Sequence, residues 1–232
     1  MKKILFMLVL LILPIIVNAT HYTAEDLTID INDDNWMVFT RDNIENNPEL
    51  SKLGVDSNTL KIQMNTFGMY IDAISTFDNV NYVEMFIFVK ELEEKTMNLH
   101  KYKDKDAMEV GETIYSKYKP SRLELYKTKR LTYIVSEYTD KVNGKTLYLT
   151  DYYTVINGRG YTIKVQSPGA FDEEGKNAIE KMIISISFKL NKTYEKSPYK
   201  NTWVYVIICA VVGGGLGAVS AVLKNKKKKM GV

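Results

Sequence analysis

The chain has 232 residues, 31 Lys and Arg against 28 Asp and Glu, 16 tyrosines and a single cysteine. Between residues 20 and 202 the balance reverses to 24 Lys and Arg against 28 Asp and Glu, a net of −4, so the positive total belongs to the chain ends and does not argue for nucleic acid. Cys209 lies outside that stretch, which therefore has no disulfide and no thiol chemistry.

The first residues, MKKILFMLVLLILPIIVNA, join a basic start to an apolar run from Ile4 to Val17 and a small residue at Ala19. That layout predicts a secretory signal peptide over 1–19, cleaved near Ala19, because fourteen apolar residues fall short of the ~20 that span a bilayer. Residues 20–190 follow as one domain of ordinary size. Leu27–Asp30 and Trp36–Thr40 are predicted as two short strands around the turn Asn32-Asp33-Asp34-Asn35. Ser57 is expected to cap a helix running to about Ser75, with Leu60, Met64, Phe67, Ile71 and Ile74 on one apolar stripe. Gly68 weakens that helix and lets another backbone approach.

Tyr82–Val89 is rich in β-branched and aromatic residues and predicts an inner strand. Asp104–Lys119 predicts a helix with Ala107, Val110, Ile114 and Tyr118 on one side, ended by Pro120. Leu123–Lys127, Leu131–Tyr138, Thr146–Ile156 and Tyr161–Gln166 then predict strands, with Asn143-Gly144 and Asn157-Gly158 as hairpin turns. In the last of these, Tyr161, Ile163 and Val165 alternate with Thr162, Lys164 and Gln166, which predicts one buried and one wet face. A helix from about Phe171 to Met182 and a strand Ile184–Phe188 close the domain. Blocks of helices and a hairpin-rich meander predict an α+β fold, an antiparallel sheet flanked by helices.

Residues 191–202 (NKTYEKSPYKNT) suit a short stalk. Trp203–Leu223 is 21 residues without a charge, edged by Trp203 and Tyr205 and followed by Lys224 and Lys226–Lys229. This predicts a C-terminal transmembrane helix over 203–223 and a cytoplasmic tail over 224–232, hence a single-pass type I protein of a bacterial plasma membrane with membrane lipid as a partner. Gly213, Gly217 and Ala221 stand four apart on that helix, a stripe on which two copies could pack as a homodimer.

The domain resembles the PsbP-like superfamily, which includes DcrB-like bacterial envelope proteins and a eukaryotic Ran-binding import factor. The resemblance is carried by the opening strands ending in Trp36-Met37-Val38-Phe39-Thr40, by the helix from Ser57, by the hairpin Tyr152–Ile156/Tyr161–Val165 leading to Ser167, and by the closing helix with Ser185-Ile186-Ser187-Phe188. It covers most of 25–190. It implies a layered fold around an antiparallel sheet and non-catalytic roles, with no shared catalytic residues to place here. The C-terminal anchor departs from many members, which are soluble or lipid-attached.

Candidate chemistry is sparse. His21 and His100 are the only histidines and have no metal-ligand spacing, so neither a zinc site nor a Ser-His-Asp triad is predicted. Asp30-Ile31-Asn32-Asp33-Asp34 begins like a calcium loop, but Asn35 and Arg41 stand where an EF-hand needs Gly and Glu. Ser116–Lys119 and Ser197–Lys200 have the Ser-x-x-Lys spacing without its supporting elements. No cofactor is predicted. Asn157-Gly158-Arg159-Gly160 is followed by a strand where a phosphate loop needs a helix, so it is read as a turn with Arg159 at a wet tip.

One segment concentrates positive charge: Lys117, Lys119, Arg122, Lys127, Lys129 and Arg130, a candidate contact for an anionic envelope polymer or acidic protein partner. Tyr133, Tyr138, Tyr148, Tyr152, Tyr153 and Tyr161 fall on the late strands, where outward rings would make contact residues. The reading is a non-enzymatic, membrane-anchored binding or accessory module. Two alternatives stay open, a cell-envelope hydrolase using an unidentified acidic pair and a structural subunit of a membrane complex.

Overall fold

The computed structural model describes residues 19–189, apart from 33–35, 46, 77–81, 93–95 and 143. The predicted signal peptide up to residue 18, the stalk, the membrane span with Gly213, Gly217 and Ala221, Cys209 and the lysine tail lie outside the described residues. Among the described residues, no helix is long and apolar enough to cross a membrane.

Two antiparallel sheets form the frame. Seven strands make the larger one: β3 (Trp36–Thr40), β4 (Met69–Thr76), β5 (Tyr82–Glu91), β6 (Arg122–Lys127), β7 (Thr132–Val142), β8 (Lys145–Ile156) and β9 (Arg159–Ser167). Their order across the sheet is β3-β4-β5-β9-β8-β7-β6, which puts β5 inside and β6 on an edge. The smaller sheet is β1 (Ala19–Ala24), β2 (Leu27–Asn32) and β10 (Ser187–Phe188), in the order β1-β2-β10. The helices are α1 (Glu49–Leu53), α2 (Ser57–Phe67), α3 (Asp104–Tyr115) and α4 (Glu173–Ser185). The predicted α+β class with a mostly antiparallel sheet is what forms.

Both faces of the large sheet are covered. On one, Leu27, Ile29 and Ile31 of β2 and Ile179, Met182 and Ile183 of α4 bury Ile71, Met85, Ile163 and Val165. On the other lie two separate apolar clusters. Leu60 and Met64 of α2 pack on Phe39, Ile74, Phe86 and Phe88. Ala107, Val110 and Ile114 of α3 pack on Ile134, Leu149 and Tyr153.

Several predicted boundaries move, each for a local reason. The helix from Ser57 stops at Phe67, capped at its start by Asp56, whose carboxylate accepts from the Thr59 N–H at 2.8 Å. Gly68 ends it with φ +64, a conformation that glycine adopts without strain. A Cβ there would lie 2.4 Å from the Val89 carbonyl oxygen, so the predicted close backbone approach does occur, at a helix end. From Met69 the chain is a strand. Ile71 and Ile74, which share a stripe at helical period, enter clusters on opposite faces of the sheet at period two.

The strands at Leu27 and Trp36 both form, yet they belong to different sheets: β2 pairs with β1 and β10, β3 with β4. No apolar pattern in the sequence announces β1, whose first four residues are exposed or half-exposed. It places His21 opposite Asp30, with Nδ1 2.7 Å from Oδ1. The last helix runs on to Ser185, which shortens the final strand to Ser187–Phe188.

Candidate functional site

Residues directly opposite in adjacent strands share a face of the sheet. Gln166 stands opposite Glu84, Lys164 opposite Asp151, and Asp151 opposite Ser136. Asp72 and Lys164 both stand opposite Phe86. One face therefore carries a row of polar side chains across β4, β5, β9, β8 and β7, between the α2 cluster and the α3 cluster. None of them is wet: Asp72 and Glu84 are 1% exposed, Gln166 2%, Asp151 4% and Lys164 7%. This overturns the expected wet face of β9. Period two marks which residues share a face; whether that face is wet depends on what packs over it, and this one is buried.

The row has two halves. In one, Lys164 Nζ lies 2.8 Å and 3.0 Å from the two oxygens of Asp151 and also donates to the Tyr138 hydroxyl. Tyr138 in turn donates to Asp151 Oδ2 at 3.0 Å. The ring of Tyr118 stacks on that of Tyr138 with centroids 4.6 Å apart. Burial first, and then the Asp151 charge, push the Tyr138 hydroxyl far above its usual range, so it stays a neutral donor. The other half is acidic. Gln166 Nε2 donates to Glu84 Oε2 at 2.7 Å, and Asp72 stands diagonally across the β4–β5 pair from Glu84. Burial raises Asp72 to about 7. Glu84 rises well above its usual range through burial, with the charge of Asp72 adding to the effect. Asp72 Oδ1 and Ser136 Oγ are buried without a hydrogen-bond partner.

A second cluster joins the two sheets, and Arg159 is its hub. The Asn157-Gly158 turn has φ +53 and +76, the two-residue hairpin that Asn-Gly favours. Arg159 does not point to water as predicted. Its Nε lies 2.6 Å from Glu91 Oε1, and its Nη1 3.4 Å from carboxylate oxygens of Glu25 and Asp26 in the β1–β2 turn. A β-bulge between Met69 and Ile71 frees Tyr70, whose hydroxyl donates to Glu25 at 2.6 Å, while Tyr161 donates to Asp26 at 2.8 Å. Gly160 has an ordinary backbone; a Cβ there would meet the Tyr153 hydroxyl at 3.0 Å, so ring packing explains the glycine.

The six basic residues singled out in the sequence are divided by the fold. Lys117, Lys119 and Arg122 lie where α3 ends and β6 begins; Lys127, Lys129 and Arg130 lie where β6 ends. Six strand residues separate the groups by roughly 17 Å. Arg122 binds Glu137 at 2.7 Å and also Glu124, and Lys117 lies over the Tyr118 ring at 4.8 Å. Lys127 binds Asp104 at 2.6 Å. Of the six tyrosines on the late strands, Tyr133, Tyr138, Tyr152, Tyr153 and Tyr161 are at most 7% exposed, and Tyr148 at 38% faces outward. These rings are core, a consequence of covering both sheet faces. His100 lies exposed in the 3₁₀ turn Leu99–Lys101, its pKa lowered by partial burial and then by Lys101. Among the described residues, no group of three or more His, Cys, Asp or Glu is placed to hold a metal ion.

No family model matches the chain, and no curated protein matches its sequence. Among solved structures, the chain is similar to the solution structure of cyanobacterial PsbP (CyanoP) from Synechocystis sp. PCC 6803. Identity is 11% and the TM-score 0.45, over 75% of this chain and 94% of that one. It is also similar to a crystal structure from Bacteroides thetaiotaomicron VPI-5482, at 12% identity and a TM-score of 0.40. That likeness covers 74% of this chain and 47% of the other, so the chain spans about half of that protein's length. A likeness at this level concerns the fold and says nothing of binding or catalysis.

Proposed function

We propose that the chain is a membrane-anchored, extracytoplasmic binding or accessory module of a bacterial cell envelope, close to the DcrB-like members of the PsbP-like superfamily, and non-enzymatic. One observation carries the reading: the polar interior is closed. Lys164, Asp151 and Tyr138 bind one another, Glu84 binds Gln166, and all five are at most 7% exposed. The acidic pair that a hydrolase would need has a candidate in Asp72 and Glu84, but both are 1% exposed, so a sugar or peptide reaches neither as the chain is folded. What faces outward is charge, and charge on rigid strands and turns serves contact.

The test uses the full-length chain expressed in a bacterial host. Cleavage after Ala19, retention in carbonate-washed membranes and protease access from outside are expected. Incubated with isolated murein sacculi, the detergent-solubilised protein should release no soluble fragments. Fragment release that disappears in Asp72→Asn or Glu84→Gln would establish the hydrolase instead. Self-association through the span is a separable part of the proposal: Gly213→Leu with Gly217→Leu should abolish it in a membrane two-hybrid assay, and an unchanged signal ends that part.

A further inference from the structure

The fold gathers positive charge at the end of the domain from which the chain leaves for its anchor. A chain of contacts defines that end. The Lys189 N–H donates to the Asp26 carbonyl at 2.9 Å, and the Asn157 side chain donates to the Lys189 carbonyl at 2.9 Å. The Asn157 N–H donates to Asn98 Oδ1 at 2.8 Å, immediately before the 3₁₀ turn that carries Lys101. Lys103 and Asp104 follow, and Asp104 binds Lys127 at the close of β6. Lys101, Lys103 and Lys105 therefore share one rim with Lys127, Lys129 and Arg130, beside the exit at Lys189, and all seven are exposed. Asp104 and Asp106 are the acids within these segments. Glu25, Asp26 and Glu91 at the same end are turned toward Arg159. Glu93, Glu94 and Lys95, with one net negative charge in the sequence, lie outside the described residues. Counting every charged residue named here, nine positive against seven negative, this end is net positive by two, although residues 20–202 are net negative.

We propose that this rim is a lipid-contacting surface: it rests on the anionic phospholipid headgroups of the bilayer that holds the chain, and so fixes which way the domain points. The inference rests on the anchored reading above. Twelve residues, Asn191–Thr202, separate the domain from the predicted span, a contour length of at most about 40 Å. Basic residues close to an anionic surface each favour contact by about fivefold, and the attraction fades within about 10 Å at moderate salt. A rim next to the exit point is the side of the domain nearest the start of that segment, whereas the Gly144 end is not: the ten-residue step from Thr146 to Ile156 along β8 spans roughly 33 Å.

The experiment uses the full chain with Cys209→Ser, carrying a fluorophore on His100→Cys at the rim or on Thr146→Cys at the opposite end. It is reconstituted into phosphatidylcholine vesicles with or without about one-third phosphatidylglycerol, in the presence of headgroup spin-labelled lipid. The expected result is quenching at His100→Cys about twofold or more stronger with phosphatidylglycerol, weak quenching at Thr146→Cys throughout, and loss of the difference in about 0.5 M salt. Lys101→Gln, Lys103→Gln, Lys129→Gln and Arg130→Gln combined, which leave the Lys127–Asp104 pair intact, should remove it as well. Equal quenching at His100→Cys in both vesicles, or stronger quenching at Thr146→Cys, overturns the proposal. Flotation with phosphatidylcholine vesicles separates the two readings. A chain that floats yet shows no response to phosphatidylglycerol refutes the rim alone; a chain that does not float refutes the anchor and the rim with it.

Discussion

Lys164 reaches from β9 to Asp151 on β8, its Nζ 2.8 Å from Oδ1, with side chains 8% and 5% exposed. Tyr138 closes the triangle from β7. A one-residue slip of β9 would carry Lys164 into the apolar cluster under β2 and α4, so the triad holds three strands to one register.

Removing one charge leaves the other buried and alone. Lys164→Met should lower the unfolding free energy by about 3–5 kcal/mol in urea titrations, and Lys164→Met with Asp151→Leu should recover most of it. A double variant as unstable as the single one would sink the idea that the cost is an orphaned carboxylate.

The acidic half makes stability depend on pH. Asp72 rises from 3.8 to about 7, so between those values the folded chain holds a proton that the unfolded chain has released. Its contribution is full below pH 3.8 and is lost as pH rises through 7. Asp72→Asn removes that loss and the repulsion on Glu84. It should therefore raise stability at pH 8 by about 1–3 kcal/mol and change little at pH 4. Thermal unfolding across that range decides it; an unaltered pH slope would count against Asp72.

At Gly68 a methyl group meets two obstacles, φ +64 and the Val89 carbonyl oxygen 2.4 Å from the new Cβ. The obstacle is backbone, which cannot rotate away. Gly68→Ala is expected to cost about 2–4 kcal/mol, against a few tenths for an ordinary exposed site. A neutral effect in chemical denaturation would mean that β5 shifts freely, contrary to the Val89 N–H bond to the Gly68 carbonyl at 2.8 Å.

Arg159 ties the β1–β2 turn to β5 and β9. In Arg159→Leu, amide hydrogens of Thr28 and Ile29 on β2 should exchange about tenfold faster, with those of β7 and β8 unchanged. Uniform acceleration across the domain would show that the cluster supports the whole fold, and no acceleration would show that apolar burial alone holds the small sheet.

How much was legible follows from the range of each signal. Asn157-Gly158, the β-branched run of β5 and the stripe of α3 are local, and each formed near its predicted place. Residues 69–76 misled because Ile71 and Ile74 fit helical spacing from Met64; the helix ends at Gly68 with φ +64, and the residues after it pair with β3 and β5, partners outside the local pattern. Arg159 looked free because its partners, Glu25, Asp26 and Glu91, lie 68 to 134 positions away in the chain. A faint signal existed in Lys164 and Gln166 alternating with apolar residues, but exposed strands show the same pattern.

By itself the sequence determined the class of the domain, the order of most elements, the lack of disulfides among residues 20–202, and the apolar and lysine-rich segments from which membrane anchoring is argued. These depend on composition and on periods of two and 3.6, which neighbouring residues set among themselves. The tertiary structure alone decided that β2 and β3 part into different sheets and that the second face of β9 is sealed. It also decided that Asp72 and Glu84 meet in the interior, and that lysines from the 3₁₀ turn, α3 and β6 collect beside Lys189. Each is a contact between residues distant in the chain. Its free energy depends on which surface covers which, a quantity that no local pattern contains.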